Sequence, residues 1–543
     1  MINTVQKTRS TVIFFIFCAV YGCIALNLFF IQIKHHAFYT NLGQKQYHVT
    51  VTQAPPRASI YDRSGTNCLA LNKQSISAFV LPKNLESPET LNPFLKRHFP
   101  QAVDRLQTHQ NSHFMYIKRR LTEDEIQCIT AHNIVDIKFL NEPSRYYPVE
   151  SAAQIIGITD IDNNGLFGLE MQCNALLAGT PSTYTLERDA RSGNYYFQKE
   201  TKIQGKAGVP ITLTIDQDLQ FLVTDELEQA IKKNQAKEGA AIIMDPTNGD
   251  ILAMTNIPSF DPNAIEVLES QEYTKNKVIT EVYELGSVIK ACAALAAIEA
   301  EVVTADEPID CENKISTYFE GRRINTVRQS AAGIIPFKEV VAKSNNIGTA
   351  KVAKRLGPKI YDYYTRLGFG SKTGIQFPGE QKGFVNHPNN WSKQSIISLS
   401  YGYEITASIL QLARAFSIIA NDGYSVTPRL IVITAASEST QKQLFKTEST
   451  KTIKEILVKN RPRENLPYTL MYKTGTANML ENGVYNPNRN IFTCAGIIEK
   501  DTYKRVIVVF IKEVPRHDVY AATIAAPLLE RIAKKLALHD RIM

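Results

Sequence analysis

The sequence predicts an α+β protein with a single N-terminal transmembrane helix ahead of two folded regions. Residues 11–33 carry no charged side chain and are dominated by Phe, Ile, Val and Leu. Over residues 45–210, short alternating strand patterns are mixed with helical stretches. Over residues 211–543, helical stretches separate an early strand pair from late strands, which predicts one domain whose sheet is completed by the last third of the chain.

Composition and charge exclude several classes of function. The chain has 543 residues, enough for two to four domains. Its net charge of +8 is spread along the chain without a Lys/Arg-rich block or a nucleic-acid motif, so we do not expect nucleic-acid binding. The eight cysteines are scattered, no C-x-x-C occurs and the histidines do not cluster at ligand spacing. Neither a metal site nor a dense disulfide scaffold is therefore indicated.

The uncharged run from Thr11 to Ile33 is long enough to cross a bilayer as a helix. It is too long for an ordinary signal-peptide core, and no clear small-x-small cleavage site follows it, so an uncleaved anchor is favoured. Lys7 and Arg9 precede it without an acidic residue. We therefore expect residues 1–10 to be a cytoplasmic tail, 11–33 the anchor, and the rest of the chain to lie outside the cytoplasmic membrane.

Residues 45–210 read as a scaffold or partner-binding module. His48–Thr52 alternates as a strand does, and the Pro-rich stretch 55–65 reads as an extended segment that closes in a turn. No catalytic cluster of side chains occurs here.

Residues 211–543 predict a sheet with helices inserted into it. A strand is expected at 209–215, a helix at 218–233 and a hairpin at 240–254. Helical stretches fill roughly 285–425, strands follow at 468–477, 492–498 and 505–511, and an Ala/Leu-rich helix at about 521–538 closes the chain.

The stretch Glu284-Leu-Gly-Ser287-Val-Ile-Lys290, followed by an Ala/Leu run, reads as a turn feeding a helix. Ser287 would lie at the helix N-terminus, with Lys290 one turn later on the same face. The helix dipole favours the alkoxide that develops during attack, and burial would leave Lys290 a neutral base. Taken alone, the pattern also fits a capping serine and a lysine that reaches to solvent.

Two further polar groups follow. Ser344-Asn-Asn346 interrupts a helical stretch, which predicts a loop or helix end, with simple capping as the alternative. Lys473-Thr474-Gly475-Thr476 follows an apolar strand. Alternation places both threonine hydroxyls on one face, where they could bind a carboxylate, and Gly475 marks a close approach by another backbone or a ligand. A second Lys-Thr-Gly at 372–374 lies in a loop context and is interpreted as a decoy.

In this order, Ser-x-x-Lys, Ser-x-Asn and Lys-Thr-Gly are typical of penicillin-interacting serine enzymes. The chain resembles the class B penicillin-binding proteins over about residues 45–530. Further matches are Arg57–Gly65, Gly165-x-x-Gly168-x-Glu170, Asp245-Pro-x-x-Gly249 and Gly374-Ile-x-x-Pro-Gly-Glu380. Motifs at 355–357, 367–370 and 400–403 are most similar to the septal type, FtsI. Leu285, Ala291 and Ala521-Ala522 depart from the usual Pro, Pro and Gly-Gly.

The resemblance implies an elongated α+β pedestal or dimerisation domain over residues 45–210. Residues 211–543 would form a penicillin-binding transpeptidase domain with an antiparallel β-sheet flanked by helices. It implies a D,D-transpeptidase of the inner membrane that cross-links peptidoglycan stem peptides ending in D-Ala-D-Ala, is acylated by β-lactams and needs no cofactor. A glycosyltransferase of the SEDS family and other divisome membrane proteins are the implied partners.

The resemblance also implies a role for each motif residue. Ser287 would be the nucleophile and Lys290 the base, while Ser344 and Lys473 relay a proton. Asn346 would orient the donor peptide, and Thr474, Gly475 and Thr476 would bind its carboxylate. The backbone N–H groups of Ser287 and Thr476 would form the oxyanion hole.

Other functions remain as alternatives. An elongation-type class B enzyme would share the same motifs. A class A enzyme is rejected, because its Glu-Asp-x-x-Phe-x-x-His motif is only approximated by Glu123-Asp124, with Gln127 and Thr130 in the later places. A β-lactamase usually lacks an anchor and a large N-terminal module. A divisome scaffold or β-lactam sensor would keep the fold without turnover, and the intact triad of motifs argues against it.

Overall fold

The computed structural model describes residues 4–188, 195–265, 270–432, 441–458, 466–481, 484–516 and 518–543. Its helices are α1 (Thr4–Phe29), α2 (His36–Tyr47), α3 (Pro88–His98), α4 (Pro100–Thr108), α5 (Glu123–His132), α6 (Ala153–Ile156), α7 (Gly168–Gln172), α8 (Asn174–Ala178), α9 (Gln217–Asn234), α10 (Lys277–Thr280), α11 (Lys290–Glu299), α12 (Phe337–Ala342), α13 (Asn346–Leu356), α14 (Lys359–Arg366), α15 (Ser395–Ser400), α16 (Ile409–Ala420), α17 (Thr447–Val458), α18 (Ala521–Ile524) and α19 (Ala526–His539).

Its strands are β1 (His48–Gln53), β2 (Ile60–Tyr61), β3 (Cys68–Val80), β4 (Met115–Lys118), β5 (Lys138–Tyr146), β6 (Ser182–Arg188), β7 (Tyr195–Ile203), β8 (Ile211–Thr212), β9 (Glu238–Met244), β10 (Ile251–Ile257), β11 (Pro308–Asp310), β12 (Ser316–Phe319), β13 (Arg322–Asn325), β14 (Ile334–Pro336), β15 (Phe384–Val385), β16 (Ile405–Thr406), β17 (Thr469–Glu481), β18 (Val484–Lys500) and β19 (Tyr503–Lys512). The alternating pattern at 48–52 and the hairpin pattern at 240–254 thus form strands as predicted.

The first of two compact units comprises Met1–Arg57 and Ala178–Gly208. In it, α1 continues into a π-helical turn, and β1, β6 and β7 form an antiparallel sheet. The stretch Gln6–Lys34 has a hydropathy of 2.5 and is the one helix, within the described ranges, that is long and apolar enough to cross a membrane. An N-terminal apolar helix is therefore confirmed where the uncharged run predicts it; residues 1–3 of the predicted tail lie outside the described residues.

The second unit comprises Ala58–Leu177 and Val209–Met543. In its N-terminal part, β3 pairs with β2, β4 and β5, and β2 also pairs in parallel with β8. Helices α3, α4 and α5 contribute to one apolar core with β3 and β4. The predicted turn after the Pro-rich stretch is present, because Gly65 N–H donates to the carbonyl of Asp62 at 3.0 Å. A buried ion pair, Arg145 Nε to Glu170 Oε1 at 2.7 Å, joins β5 to α7.

A five-stranded antiparallel sheet in the order β10-β9-β19-β18-β17 is the centre of the second unit. Alternate residues of β19 enter two cores, as the period of two in a strand requires. Ile507 and Val509 belong to the core that contains α9 and α19, whereas Val506 and Val508 belong to the core that contains α11 and α16. This confirms a sheet flanked by helices, and within the described residues helices α10 to α17 are inserted between β10 and β17.

Three predictions differ from the structure. The stretch 285–425, predicted to be helical, also contains the short strands β11 to β16. The single closing helix is two helices, α18 and α19, which meet at Ala525. Pro527 explains the break, since proline has no N–H to continue the preceding helix but is tolerated in the first turn of the next one. The predicted strand at 209–215 is only β8, because Leu213 pairs with Ile431 instead.

Candidate active site

A tight helical turn carries the predicted nucleophile. The turn Gly286–Ile289 is a 3-10 helix that runs directly into α11, so Ser287 lies at the N-terminal end of a longer helical segment. Gly286 has a φ of +61°, and a Cβ there would lie 2.6 Å from the carbonyl oxygen of Thr476. A Cβ on Gly402 would lie 2.2 Å from the Gly286 oxygen. Both glycines are therefore required for the turn to pack between β17 and the segment after α15.

Lys290 is the first residue of α11 and its side chain is fully buried. Its Nζ donates to the backbone carbonyl of Ser344 at 2.7 Å, contacts the Ser344 Oγ at 3.1 Å, and donates to the Asn346 Oδ1. These partners are all neutral. Burial, and then the charge of Lys473, hold the pKa of Lys290 well below its usual value.

The Ser344–Asn346 segment is the predicted break between two helices. Helix α12 ends at Ala342 and α13 begins at Asn346, while Ser344 adopts a φ of +55°. The middle residue, Asn345, is the cap: its Oδ1 accepts the Gly348 N–H at 2.8 Å. Capping by Asn345 leaves the side chains of Ser344 and Asn346 to meet Lys290. Asn346 Nδ2 also donates to the carbonyl of Asn325 at 2.5 Å.

Lys473 extends from β17, an edge strand of the central sheet. It is 2% exposed, and its Nζ donates to the Ser344 Oγ at 3.1 Å and to the Thr474 carbonyl at 3.0 Å. Burial lowers the pKa of Lys473 to about 8, although the Cys494 thiol acts in the opposite direction. The Ser344 hydroxyl therefore lies between two buried lysine amines, 3.1 Å from each.

The remaining residues of the strand motif alternate between two faces. Gly475 is buried, and a Cβ there would lie 2.4 Å from the Leu285 oxygen and 2.6 Å from the Val288 nitrogen. The close approach predicted for this glycine is thus made by the backbone around Ser287. Thr474 and Thr476 are partly exposed on the other face, and Thr476 Oγ1 accepts the backbone N–H of Ala521 at 2.9 Å.

Models of two known protein domains match this chain. A model of the penicillin-binding protein transpeptidase domain matches residues 239–534, more than half of the chain, and a model of the penicillin-binding protein dimerisation domain matches residues 52–213. The chain belongs to the penicillin-binding protein transpeptidase family. The class B resemblance is thereby confirmed.

Relatives and solved structures agree with the family. The probable peptidoglycan D,D-transpeptidase PenA of Neisseria meningitidis is 29% identical over 94% of this chain and 89% of its own length. The peptidoglycan D,D-transpeptidase FtsI of Buchnera aphidicola is 28% identical over 98% of this chain and 96% of its own. The crystal structure of penicillin-binding protein 3 from Mycobacterium tuberculosis, complexed with aztreonam, has a TM-score of 0.67 at 25% identity and covers 90% of this chain and 97% of the solved one.

The second Lys-Thr-Gly, at residues 372–374, has no part in this cluster. It lies between α14 and β15 in irregular backbone, as the loop context predicts. Its Thr373 is buried, and both the backbone N–H and the hydroxyl donate to Glu380 Oε1 at 2.6 Å. The same three residues, Lys-Thr-Gly, therefore form part of a strand at 473–475 and an internally hydrogen-bonded loop at 372–374.

Glu284, in the turn before Ser287, has contacts that the sequence did not predict. Its Oε1 accepts the Glu404 N–H at 3.1 Å and the Tyr485 hydroxyl at 3.2 Å, which joins the turn before Ser287 to two other segments. Burial raises the pKa of Glu284. The rings of Tyr403 and Tyr485 lie beside it, with centroids 5.0 Å apart. Only its position three residues before Ser287 could have indicated this role.

One group of three side chains in the described part of the chain, Asp216, Asp218 and His539, is close enough to hold a metal ion. Asp216 is already used as the cap of α9, where its Oδ1 accepts the N–H groups of Asp218 and Leu219 at 3.1 Å. None of the predicted site residues belongs to this group, and the chemistry proposed below does not use it.

Proposed function

We propose that this penicillin-binding protein is a serine-type D,D-transpeptidase that cross-links peptidoglycan, with Ser287 as the nucleophile. The observation that carries the proposal is the Ser344 hydroxyl, 3.1 Å from both the Lys473 amine and the amine of Lys290, the residue that directly follows the turn carrying Ser287. A hydroxyl between two buried amines of lowered pKa can pass a proton in either direction. A fold kept only as a scaffold has no need of this arrangement.

In the proposed first step, the Ser287 Oγ attacks the carbonyl carbon of the bond between the two terminal D-alanines. The neutral Lys290 amine takes the serine proton, and the backbone N–H groups of Ser287 and Thr476 stabilise the oxyanion. The C–N bond then breaks, and the proton passes through Ser344, with Lys473 beside it, to the nitrogen of the departing D-Ala. An ester to Ser287 remains.

In the second step, the amine of another stem peptide attacks this ester, and the new amide forms as the Ser287 oxygen regains a proton. Asn346 orients the donor peptide, while Thr474, Gly475 and Thr476 bind its carboxylate. Thr476 is suited to this, because its oxygen accepts the Ala521 N–H and its own hydroxyl proton is left to donate. β-Lactams would acylate Ser287 in the same way and leave no departing amine.

We further propose a single-pass protein of the inner membrane. Residues 1–10 would be cytoplasmic, 11–33 the anchor, 45–210 the pedestal or dimerisation domain, and 211–543 the transpeptidase domain outside the membrane. The apolar helix Gln6–Lys34, with Lys7 and Arg9 ahead of its uncharged run 11–33, supports this orientation. A septal role, with a SEDS-family glycosyltransferase and other divisome membrane proteins as partners, is proposed from the resemblance to FtsI.

Intact mass spectrometry of the full-length chain after exposure to benzylpenicillin tests the acyl-enzyme. The expected result is one added penicillin mass, located by digestion on the peptide that contains Ser287, and its loss in Ser287→Ala. An adduct on another residue, or equal labelling of Ser287→Ala, would refute the assignment. Release of D-Ala from a stem pentapeptide with formation of a cross-linked product then distinguishes a turning-over enzyme from a β-lactam sensor.

A further inference from the structure

Arg322, on strand β13, carries a guanidinium that forms no ion pair with a carboxylate among the described residues. Its Nη1 donates to the buried hydroxyl of Ser398, and its Cζ lies 5.8 Å from the centroid of the Tyr401 ring. Its other N–H groups form no hydrogen bond to a described residue and are not enclosed by the fold. The side chain is thus held in place while part of its fork stays open, and an open guanidinium fork suits a carboxylate.

Strand β13 lies against the segment that carries Asn346. The carbonyl of Asn325, three residues after Arg322, accepts the Asn346 Nδ2 at 2.5 Å. Alternation places Arg322 on the same face as Ile324, which belongs to one buried cluster with Ile347 of α13. At about 3.4 Å per residue, the backbone of Arg322 is about 10 Å along the strand from the Asn325 contact. Arg322 therefore lies on the Asn346 side of the candidate active site.

A row of aromatic rings joins Arg322 to the turn of the nucleophile. The ring centroids of Tyr401 and Tyr403 are 5.9 Å apart, and those of Tyr403 and Tyr485 are 5.0 Å apart. The Tyr485 hydroxyl donates to Glu284, three residues before the predicted nucleophile, at 3.2 Å. Burial raises the pKa of all three tyrosines, and the charge of Arg322 acts in the opposite direction on each of them. The positive charge of Arg322 is therefore felt along the whole row.

We propose that Arg322 is a specificity-determining residue that binds an internal carboxylate of the donor stem peptide, upstream of its two D-alanines. The terminal carboxylate is assigned to Thr474 and Thr476, so the upstream residues leave Ser287 on the side of Asn346. Stem peptides carry carboxylates on the residues before the D-Ala pair. Since one extended residue spans about 3.5 Å, a carboxylate one or two residues upstream comes within reach of the Arg322 side chain. The inference rests on the proposed transpeptidase function.

The experiment compares two stem pentapeptides that differ only in their internal carboxylates, which are free in one and amidated in the other. The kcat/KM for D-Ala release is measured with the full-length chain, per active site titrated with benzylpenicillin. Arg322→Gln is expected to lower kcat/KM for the acidic peptide about tenfold more than for the amidated one. Arg322→Lys, which keeps the charge but not the fork, should restore part of the preference.

The neighbouring arginine is the matched control. Arg323 lies on the opposite face of β13, where its Nε donates to the Ser316 Oγ at 2.8 Å, so Arg323→Gln should keep the wild-type ratio between the two peptides. An equal loss for both peptides in Arg322→Gln, an unchanged preference in that variant, or the same change in Arg323→Gln would overturn the proposal. If the wild type released D-Ala from neither peptide, the proposed transpeptidase function would itself be refuted, and this inference with it.

Discussion

Two pairs of buried lysines in the second unit show how one residue type serves two purposes. Lys277 and Lys512, each 9% exposed, share the carboxylate of Glu238, with Nζ–O distances of 2.9 and 3.2 Å. Lys290 and Lys473 are more deeply buried and share the hydroxyl of Ser344. Neither of them forms an ion pair with a carboxylate among the described residues.

The difference lies in what compensates the buried charge. Burial tends to raise the pKa of Glu238, but its hydrogen bond to Lys277 and the positive charges of both lysines outweigh this and lower it. The carboxylate therefore stays charged. In the candidate active site no described residue supplies such a carboxylate, so burial lowers the pKa of both lysines. A buried lysine becomes available as a base only where the fold withholds a carboxylate from it.

The largest effect should come from a substitution that keeps the positive charge of Lys290 but removes its ability to act as a base. Lys290→Arg keeps a positive charge but cannot act as a base, since the guanidinium does not deprotonate in proteins. We expect its rate of acylation by penicillin to fall by about a hundred- to ten-thousandfold, close to Ser287→Ala. The matched Lys512→Arg keeps the charge that Glu238 needs and should acylate at nearly the wild-type rate. Stopped-flow acylation of the purified chains measures both, and a Lys290→Arg rate near wild type would contradict the base assignment.

The same contrast shows how far the sequence reaches. The Ser287, Ser344 and Lys473 motifs and the positions of the strands at 240–254 and 468–511 could be predicted, because each motif coincides with a turn, a helix break or a strand that local residues determine. The bridging position of the Ser344 hydroxyl could not, since it depends on three segments far apart in the chain. Nor could the carboxylate of Glu284, whose partners at Glu404 and Tyr485 are set by tertiary packing alone.

The two Lys-Thr-Gly segments, at 473–475 and 372–374, allow a similar comparison of their glycines. Gly475→Ala would place a Cβ 2.4 Å from the Leu285 oxygen and so displace the turn that carries Ser287. A displacement of about 1 Å can cost about a hundredfold in rate, and we expect acylation to fall by that order. A Cβ on Gly374 would have only the Thr427 side chain within 4 Å, at 3.4 Å. The cost of Gly374→Ala is therefore backbone strain, because the φ of +91° is unfavourable for alanine. That variant should lose about 1 kcal/mol of stability and acylate normally; equal loss of acylation in both variants would refute a special role for Gly475.

The pH dependence of acylation should distinguish the two site lysines. The lowered pKa of Lys473, about 8, means that its charge is present below pH 8 and is lost as the pH rises through it. If the protonated amine is needed, the acylation rate should fall about tenfold per pH unit above that value. On the acid side, the rate should fall when Lys290 gains a proton. Lys473→Arg keeps its charge, so the alkaline fall should disappear in a pH series from 5.5 to 10; its persistence would assign that limb to another group.

The smallest effect on acylation is expected for Glu238→Gln, which tests whether the Lys277–Lys512 pair is separate from the Lys290–Lys473 pair. Glu238→Gln removes the carboxylate that Lys277 and Lys512 share, so Lys512 loses its counter-charge and Lys277 keeps only Glu281, at 3.8 Å. Breaking a buried ion pair from one side costs about 3 kcal/mol, so the apparent melting temperature should fall by several degrees. Lys277 and Lys512 are outside the Ser344 cluster, so acylation per folded molecule should stay within about twofold of wild type.

Measuring both quantities on one preparation separates the two lysine pairs. Thermal unfolding followed by tryptophan fluorescence, which reports the single Trp391, gives the stability, and burst titration with penicillin at a temperature well below the transition gives the active fraction and its rate. Lys290→Arg should instead lose about a hundred- to ten-thousandfold in rate per folded molecule whatever its stability, because the buried guanidinium keeps a charge that the Lys290 amine can give up. A fall in the Glu238→Gln acylation rate well beyond twofold would contradict this separation. The Lys277–Lys512 pair would then belong to the active site, and pairing with a carboxylate would not distinguish structural from reactive buried lysines.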